Sequence, residues 1–323
     1  MRRLLTSCAV IGGLAAGAGA VDAQDWPSQP IELNVPYAAG GGTDLSMRVL
    51  GESLSRALGG ATVVVQNDTG GGGGIGTGNA LKAEPDGYTL GTGAQGPIAL
   101  LPHYGATTYT IDDVDFLALM ARNLQVVLAC ANASFKDFGA FMTYAKENPG
   151  MTLVGNSGAG GANHLSMEAF GKAADVTFEH IPFSGASEAL TNCAGGHIDA
   201  VTATPSEARP HIEAGNVTPL FIMEAERIED MPDVPTAVEN GVDFTWSSWK
   251  GVIAPKGIPE DVRAKLTAAL ETAMADPAFL EQMKSMGEFV DYRDSEGYAA
   301  LAKGDSEMAE GIIRELGMYG MNQ

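Results

Sequence analysis

Three stretches of this chain carry residue types and spacings that could do chemistry. The first is Gly40-Gly41-Gly42-Thr43-Asp44, where three glycines run into the start of a helical pattern. Glycines in that place leave backbone N–H groups uncovered, and with the positive end of the helix dipole they make a site for an anion such as a carboxylate. The second is the loop 69–78, in which Gly71, Gly73 and Gly76 satisfy G-x-G-x-x-G and raise a nucleotide-binding oxidoreductase reading. A polyglycine run meets many such patterns by chance, which discounts it. The third is Gly155-Asn156-Ser157-Gly158-Ala159, which departs from the G-x-S-x-G nucleophile elbow only at its last position. His180, His197 and His211 lie downstream, so an exported serine hydrolase using Ser157 stays open. The five histidines show no H-E-x-x-H or paired-ligand spacing, and the sequence assigns no metal and no cofactor.

The elements that must position these stretches follow from periodicity. Ile31, Leu33, Val35 and Tyr37 alternate as a strand requires, while Met47, Leu50, Leu54, Ala57 and Leu58 share one face of a helix with Thr43 or Asp44 as N-cap and Gly59 as stop. Strand, glycine loop and helix return in the same order over 152–174, where Ser157, Gly158, Gly160 and Gly161 offer N–H groups and a helix starts near Asn163. Ala61 to Asn67 reads as a second strand whose run Val63-Val64-Val65 predicts burial on both faces. Tyr88 to Thr92 is a third strand, which sets Thr92 and Gln95 beside the first loop. Strand and helix signals alternate, predicting a parallel sheet whose carboxyl-end loops face one crevice. Leu117–Met120 and Val126–Cys130 read as strands leading into a second lobe, and 179–181 as one ending at the loop Pro182-Phe183-Ser184-Gly185. Trp249 is expected to pack rather than stack on a ligand.

The first stretch and its sequel, NVPYAAGGGTD and VVVQNDTGGGGGIGTGNALKAEPDGYTLGTG, carry a resemblance. It extends in order through GNSGAGGANHLSMEAF, IPFSGASEAL, GGHIDAV, MPDVPTAVENGVDF and SSWKGVIAPKGIP. The chain resembles the periplasmic solute-binding receptors of tripartite tricarboxylate transporters, the TctC or Bug family, over nearly its whole length. The resemblance implies an α/β two-lobe periplasmic binding protein of type II-like form, with the ligand cleft between the lobes and two crossovers joining them. It implies a receptor rather than an enzyme, one that captures a small carboxylate by lobe closure and delivers it to membrane permease subunits, acting as a monomer. Lobe one would span 24–121 plus 245–323, and lobe two 122–244. The cleft would be lined from lobe one by Tyr37, Gly41, Gly42, Thr43 and Asp44, by Gly72 and Gly73, and by Thr92 and Gln95. Lobe two would add Ser157, Gly158, Gly161, Ala162 and Asn163, then Phe183, Ser184 and Thr204. His164 would be a helix residue packed under the loop. The chain departs from the family's pattern at Gln66, at Gly161, at Thr202-Ala203-Thr204 and at Met318-Tyr319, and the two departures nearest the cleft remove side-chain contacts.

Composition bounds the partners. Arg2 and Arg3 precede a weakly apolar run rich in Ala and Gly up to Val21, which predicts a signal peptide over 1–23 cut after Ala23 and a periplasmic destination. A formal charge of −21 argues against nucleic acid and anionic membranes as partners. The same charge argues against long-range steering of an anion, so a carboxylate must be held at short range. The sequence favours backbone amides for this, since no Arg or Lys falls in 31–47 and Arg48 lies past the first turn. Cys130 and Cys193 would meet an oxidising compartment, but their flanks show neither disulfide nor metal spacing, and their pairing stays open.

Overall fold

A computed structural model of the chain describes residues 26–37, 39–40, 42–156, 161–183 and 186–321. Among these residues lie two sheets. The first orders its strands β11-β4-β10-β3-β1-β2, namely Phe289–Arg293, Val114–Leu124, Ser247–Pro255, Thr89–Ala94, Ile31–Val35 and Val63–Asn67. The second orders them β7-β6-β8-β5-β9, namely Glu179–Pro182, Leu153–Asn156, Ala200–Ala203, Val126–Ala129 and Thr218–Ile222.

Only part of each sheet is parallel. In the first, β2, β1 and β3 run parallel, whereas β10 pairs antiparallel with both β3 and β4, and β11 adds antiparallel to β4. In the second, β7, β6 and β8 are parallel and β5 is antiparallel to β8 and β9. The wholly parallel sheet expected from alternating elements is therefore corrected. β4 and β5 are consecutive strands, each pairing antiparallel with its immediate neighbours in a different sheet, so the chain changes sheets at Gln125. β4 keeps opposing β10 to its end, with Trp249 facing Arg122 and Ser247 facing Leu124, which carries it past residue 121 in the first sheet. Leu117–Met120 thus lie in the interior of a long strand.

The first sheet is covered on one side by α1 (Gly42–Ala57), α7 (Glu260–Met274) and α8 (Pro277–Ser285). Met47, Leu50 and Leu54 of α1 join Ile31, Leu33, Val35, Leu266, Leu270 and Phe279 in one buried cluster. Each such side chain contributes about 1.5–3 kcal/mol by leaving water. The run Val63-Val64-Val65 is not buried on both faces: β2 is the edge strand, and Val64 is 40% exposed. Helix α1 covers only the other face, where a Cβ on Gly51 would stand 3.2 Å from Val65 and 3.6 Å from Val63. An apolar triplet cannot report whether a second layer exists above it.

On the opposite side lies α9 (Ser295–Glu315), and two glycines let it approach closely. A Cβ on Gly93 would fall 2.4 Å from Tyr298 Oη, and one on Gly251 would fall 2.7 Å from Tyr298 Cε1. The Tyr298 hydroxyl donates to Gly93 O at 2.9 Å. Trp249, 1% exposed, meets Tyr298 edge-on with centroids 5.3 Å apart, as its packing role predicts. In the second lobe, α3 (Phe138–Glu147) and α4 (Ala162–Ala174) build a phenylalanine cluster of Phe138, Phe141, Phe170, Phe178 and Phe221. Cys130, buried just beyond β5, and Cys193 in α5 (Ala186–Ala194) form a disulfide. β6 followed by α4 repeats the order of β1 followed by α1, as the sequence implied.

Candidate ligand cleft

The parallel strands of each sheet end at one edge, and the residues singled out in the sequence gather at those two edges. In the first sheet β1 ends into Pro36-Tyr37, β2 into Asp68 and the glycine loop, and β3 into Gln95. In the second, β6 ends beside the undescribed 157–160 loop, β7 into Phe183 and β8 into Thr204.

A cleft of about 610 Å³ lies between the two lobes, and of the described residues singled out in the sequence Gly42, Thr43 and Thr204 line it. Its walls include Gly42 and Thr43 at the start of α1 and, from the other lobe, Thr204, Pro205 and Ser206 at the start of α6 (Pro205–Glu213). Thr204 caps α6: its backbone N–H donates to Glu207 Oε2 at 3.0 Å, and the Thr204 hydroxyl accepts from the Glu207 N–H at 3.4 Å. Basic side chains also reach the cleft, which sequence reasoning missed: Arg122, Lys250 and Lys284. Arg122 Nη1 lies 3.0 Å from Glu224 and Arg122 Nε lies 2.7 Å from Asp291, while Lys250 Nζ lies 2.6 Å from Glu288. Burial pushes the Lys250 ammonium down and the Glu224 carboxyl up from their ordinary values, each partly opposed by its ion-pair partner. Arg122 and Lys250 come from strands β4 and β10 and Lys284 from helix α8, far apart in the chain, and sequence position alone does not point to the cleft.

The glycine loop 70–73 is left-handed throughout, with φ of 124°, 55°, 64° and 96° at Gly70, Gly71, Gly72 and Gly73, a conformation that glycine alone adopts readily. Gly73 lies against Tyr37, since a Cβ there would stand 3.2 Å from Tyr37 Cε1 and 2.8 Å from Pro97 Cγ. Burial pushes the Tyr37 phenol up to about 12, so it is a neutral hydroxyl able to donate. Gly72 is exposed beside Leu101.

Other predicted residues are occupied within their own lobes. Helix α1 begins at Gly42, which places Thr43 and Asp44 in its first turn rather than at the cap. Asp44 is buried, and its carboxylate accepts from the Gly40 N–H at 2.8 Å, from Asn67 Nδ2 at 2.9 Å and from Arg48 Nε at 3.1 Å. Asp44 thus staples the loop on which the anion reading rests. Thr92 donates to Asn34 O at 2.8 Å, and Gln95 spends its amide nitrogen on Ser247 O at 3.2 Å and Asp305 at 2.9 Å. Asn163 is buried and donates to Thr202 O at 3.0 Å. Gly161 and Ala162 begin α4 and are half-buried, and Phe183 lies 3.3 Å from the Cβ position of Gly155. Gly41, Ser157, Gly158 and Ser184 fall outside the described residues, as do the expected signal peptide and the nucleophile of the hydrolase reading. One cluster as a whole has no signal in the sequence spacing: His164 and Glu168 of α4 and His180 of β7 come together.

The Asp44 staple sets a pH dependence. The hydrogen bond from Arg48, with those from Gly40 and Asn67, holds the Asp44 carboxyl at about 2, below its ordinary 3.8, against the opposing effect of burial. A folded-state pKa below the unfolded one contributes stability that is present above about pH 4 and lost as pH falls through about 2. The stability gap between the wild type and Asp44→Asn, measured by urea titration, is therefore expected to close between those values. A gap that stays constant down to pH 2 would show that the carboxylate is not stapled.

Two α/β lobes that meet at a shared cleft make this chain a two-domain binding protein of the periplasmic solute-binding class. Within that class it belongs to the tripartite tricarboxylate transporter family receptors, whose sequence model matches residues 46–318. The UPF0065 protein of the gbd 5′ region of Cupriavidus necator is 33% identical over 95% of this chain and 93% of its own length. A TctC solute-binding protein from Polaromonas, crystallised without ligand, superposes with a TM-score of 0.81 at 30% identity, covering 90% of this chain and 99% of that one. A Rhodopseudomonas palustris protein solved with malate gives 0.72 at 28% identity, covering 89% and 100%. Another from R. palustris, solved with adipate, gives 0.76 at 25% identity, covering 91% and 99%.

Proposed function

We propose that this receptor acts in the periplasm, captures a small organic acid between its lobes and delivers it to the membrane permease subunits of a tripartite tricarboxylate-type transporter. It breaks no bond in doing so and works as a monomer. Lobe one comprises the chain up to Leu124 together with the part from residue 245 onward, and lobe two 126–244, with the hinge in the two crossovers, where β4 passes into β5 and β9 returns to β10. One observation carries this reading: the starts of α1 and α6, on different lobes, face the same cleft. Each helix start presents N–H groups and a positive dipole end, so a dicarboxylate can be gripped at both ends. Arg122 and Lys250 are already matched by acids, so backbone amides at the two helix starts, with Lys284 on the cleft wall, make the added contacts. The malate- and adipate-bound relatives support a carboxylate ligand.

The test is a screen of mono-, di- and tricarboxylates by thermal shift and calorimetry, followed by small-angle scattering with and without the best binder. At least one acid is expected to bind with micromolar or tighter affinity, about 8 kcal/mol or more, and to shrink the radius of gyration. If no acid binds while an ester or NAD is consumed, receptor function is refuted. A radius unchanged at saturation refutes the closure.

A further inference from the structure

We propose that His164, Glu168 and His180 form a binding site for a borderline divalent cation such as Zn²⁺, separate from the cleft and between α4 and β7. His164 and Glu168 are four residues apart on α4, so they project from the same face of the helix. His180 comes from β7, the neighbour of β6 at the edge of the second sheet. Their ligating atoms all lie within 4.8 Å of one another. Glu168 Oε1 stands 3.7 Å from His164 Nε2 and 3.2 Å from His180 Nε2. A tetrahedral zinc with bonds of about 2.0–2.2 Å sets its ligand atoms roughly 3.3–3.6 Å apart. The observed separations bracket that edge, so small rotamer changes seat an ion.

Three further features favour an ion over a simple hydrogen-bonded cluster. The side chain of His180 is only 10% exposed, and neither of its ring nitrogens makes a hydrogen bond among the described residues. Its 3.2 Å approach to Glu168 therefore lies off the hydrogen-bond direction, as it would for two ligands converging on a third body. The imidazole centroids of His164 and His180 are 4.4 Å apart, placing both rings against one carboxylate. Glu168 is 31% exposed where His164 is 11%, which leaves an entry path on the carboxylate side and room for a water as fourth ligand. Two imidazoles and one carboxylate select zinc, cobalt or nickel over magnesium and calcium. An ion here would tie the first turns of α4 to the end of β7, the elements that lead into the 157–161 and 183–185 loops.

The experiment begins with EDTA-stripped, full-length mature protein titrated with ZnCl₂ and CoCl₂ at physiological salt. One Zn²⁺ per chain is expected, with a raised melting temperature that EDTA reverses, and Co²⁺ should develop the visible bands of low coordination. Glu168→Gln and His180→Gln should each weaken binding at least about 100-fold, more than is typical for a change behind the ligands. His197→Gln, an exposed control outside the cluster, should bind as the wild type does. X-ray absorption on the zinc-loaded wild type tests the site without mutation and should show two imidazoles and oxygen. Absent stoichiometric binding, binding unchanged in Glu168→Gln or His180→Gln, or a zinc shell with fewer than two imidazoles would each overturn the proposal. Weak uptake by surface carboxylates gives the last two results.

Discussion

Gly42→Val is expected to lower affinity for the organic acid by roughly 10²–10⁴-fold while leaving the fold intact. Gly42 is the first helical residue of α1, is exposed, and lines the cleft. A Cβ there would meet only Glu288 Oε1, at an ordinary 3.6 Å, so the protein itself accommodates the side chain. What the added methyls obstruct is the approach of a carboxylate to the helix start. Hydrogen bonds to a charged group contribute about 1.5–3 kcal/mol each, and losing two of them gives the stated range. Arg48→Gln is the informative contrast. The Arg48 guanidinium lies 2.8 Å from Asp44 and donates to Asn67 Oδ1 at 3.0 Å, so it supports the loop without facing the ligand. Its loss should cost less than about tenfold, because Gly40 and Asn67 still hold Asp44. Calorimetry on both variants, with melting curves as the check on folding, decides the matter. The opposite order would mean that a side chain grips the anion, with Arg122 and Lys250 the first to examine.

Reduction of Cys130–Cys193 is expected to destabilise the second lobe by about 4 kcal/mol. The bridge closes a separation of 63 residues, and in the chain-entropy model a loop of that length restricts the unfolded ensemble by about this amount. Reduction is a cleaner probe than substitution, since both sulfurs stay in a core with Leu128, Leu190 and Val201 and no cavity is created. Urea titrations with and without a phosphine reductant should show the midpoint fall in the second lobe, read by intrinsic fluorescence and peptide circular dichroism. A loss below about 1 kcal/mol would show that the reduced chain is already restricted by residual structure. The bridge joins the segment beyond β5 to α5, at the end of β5 away from the crossovers, so its loss should loosen the interior of the lobe that ligand binding must move as a unit.

Local signals in the sequence were sufficient for the units β1–α1 and β6–α4, for α3 over Phe138–Glu147, and for the glycine loops between strand and helix. These depend on side-chain period and on φ preference, both properties of a few adjacent residues. The resemblance carried by ordered motifs was sufficient for the family. What only the tertiary structure decided is non-local. The antiparallel places of β10, β4 and β11 depend on register between strands far apart in the chain, and the edge position of β2 depends on which layers happen to cover it. The ion pairs of Arg122 and Lys250 at the cleft depend on the same pairings. So does the meeting of Cys130 with Cys193, which carry no local pairing signal. His164 and Glu168 show their helical spacing once it is sought, yet only the parallel pairing of β6 with β7 brings His180 to them. Periodicity tells each element which face to bury; the free energy of packing and sheet pairing, summed over the whole chain, chooses the neighbour that face meets.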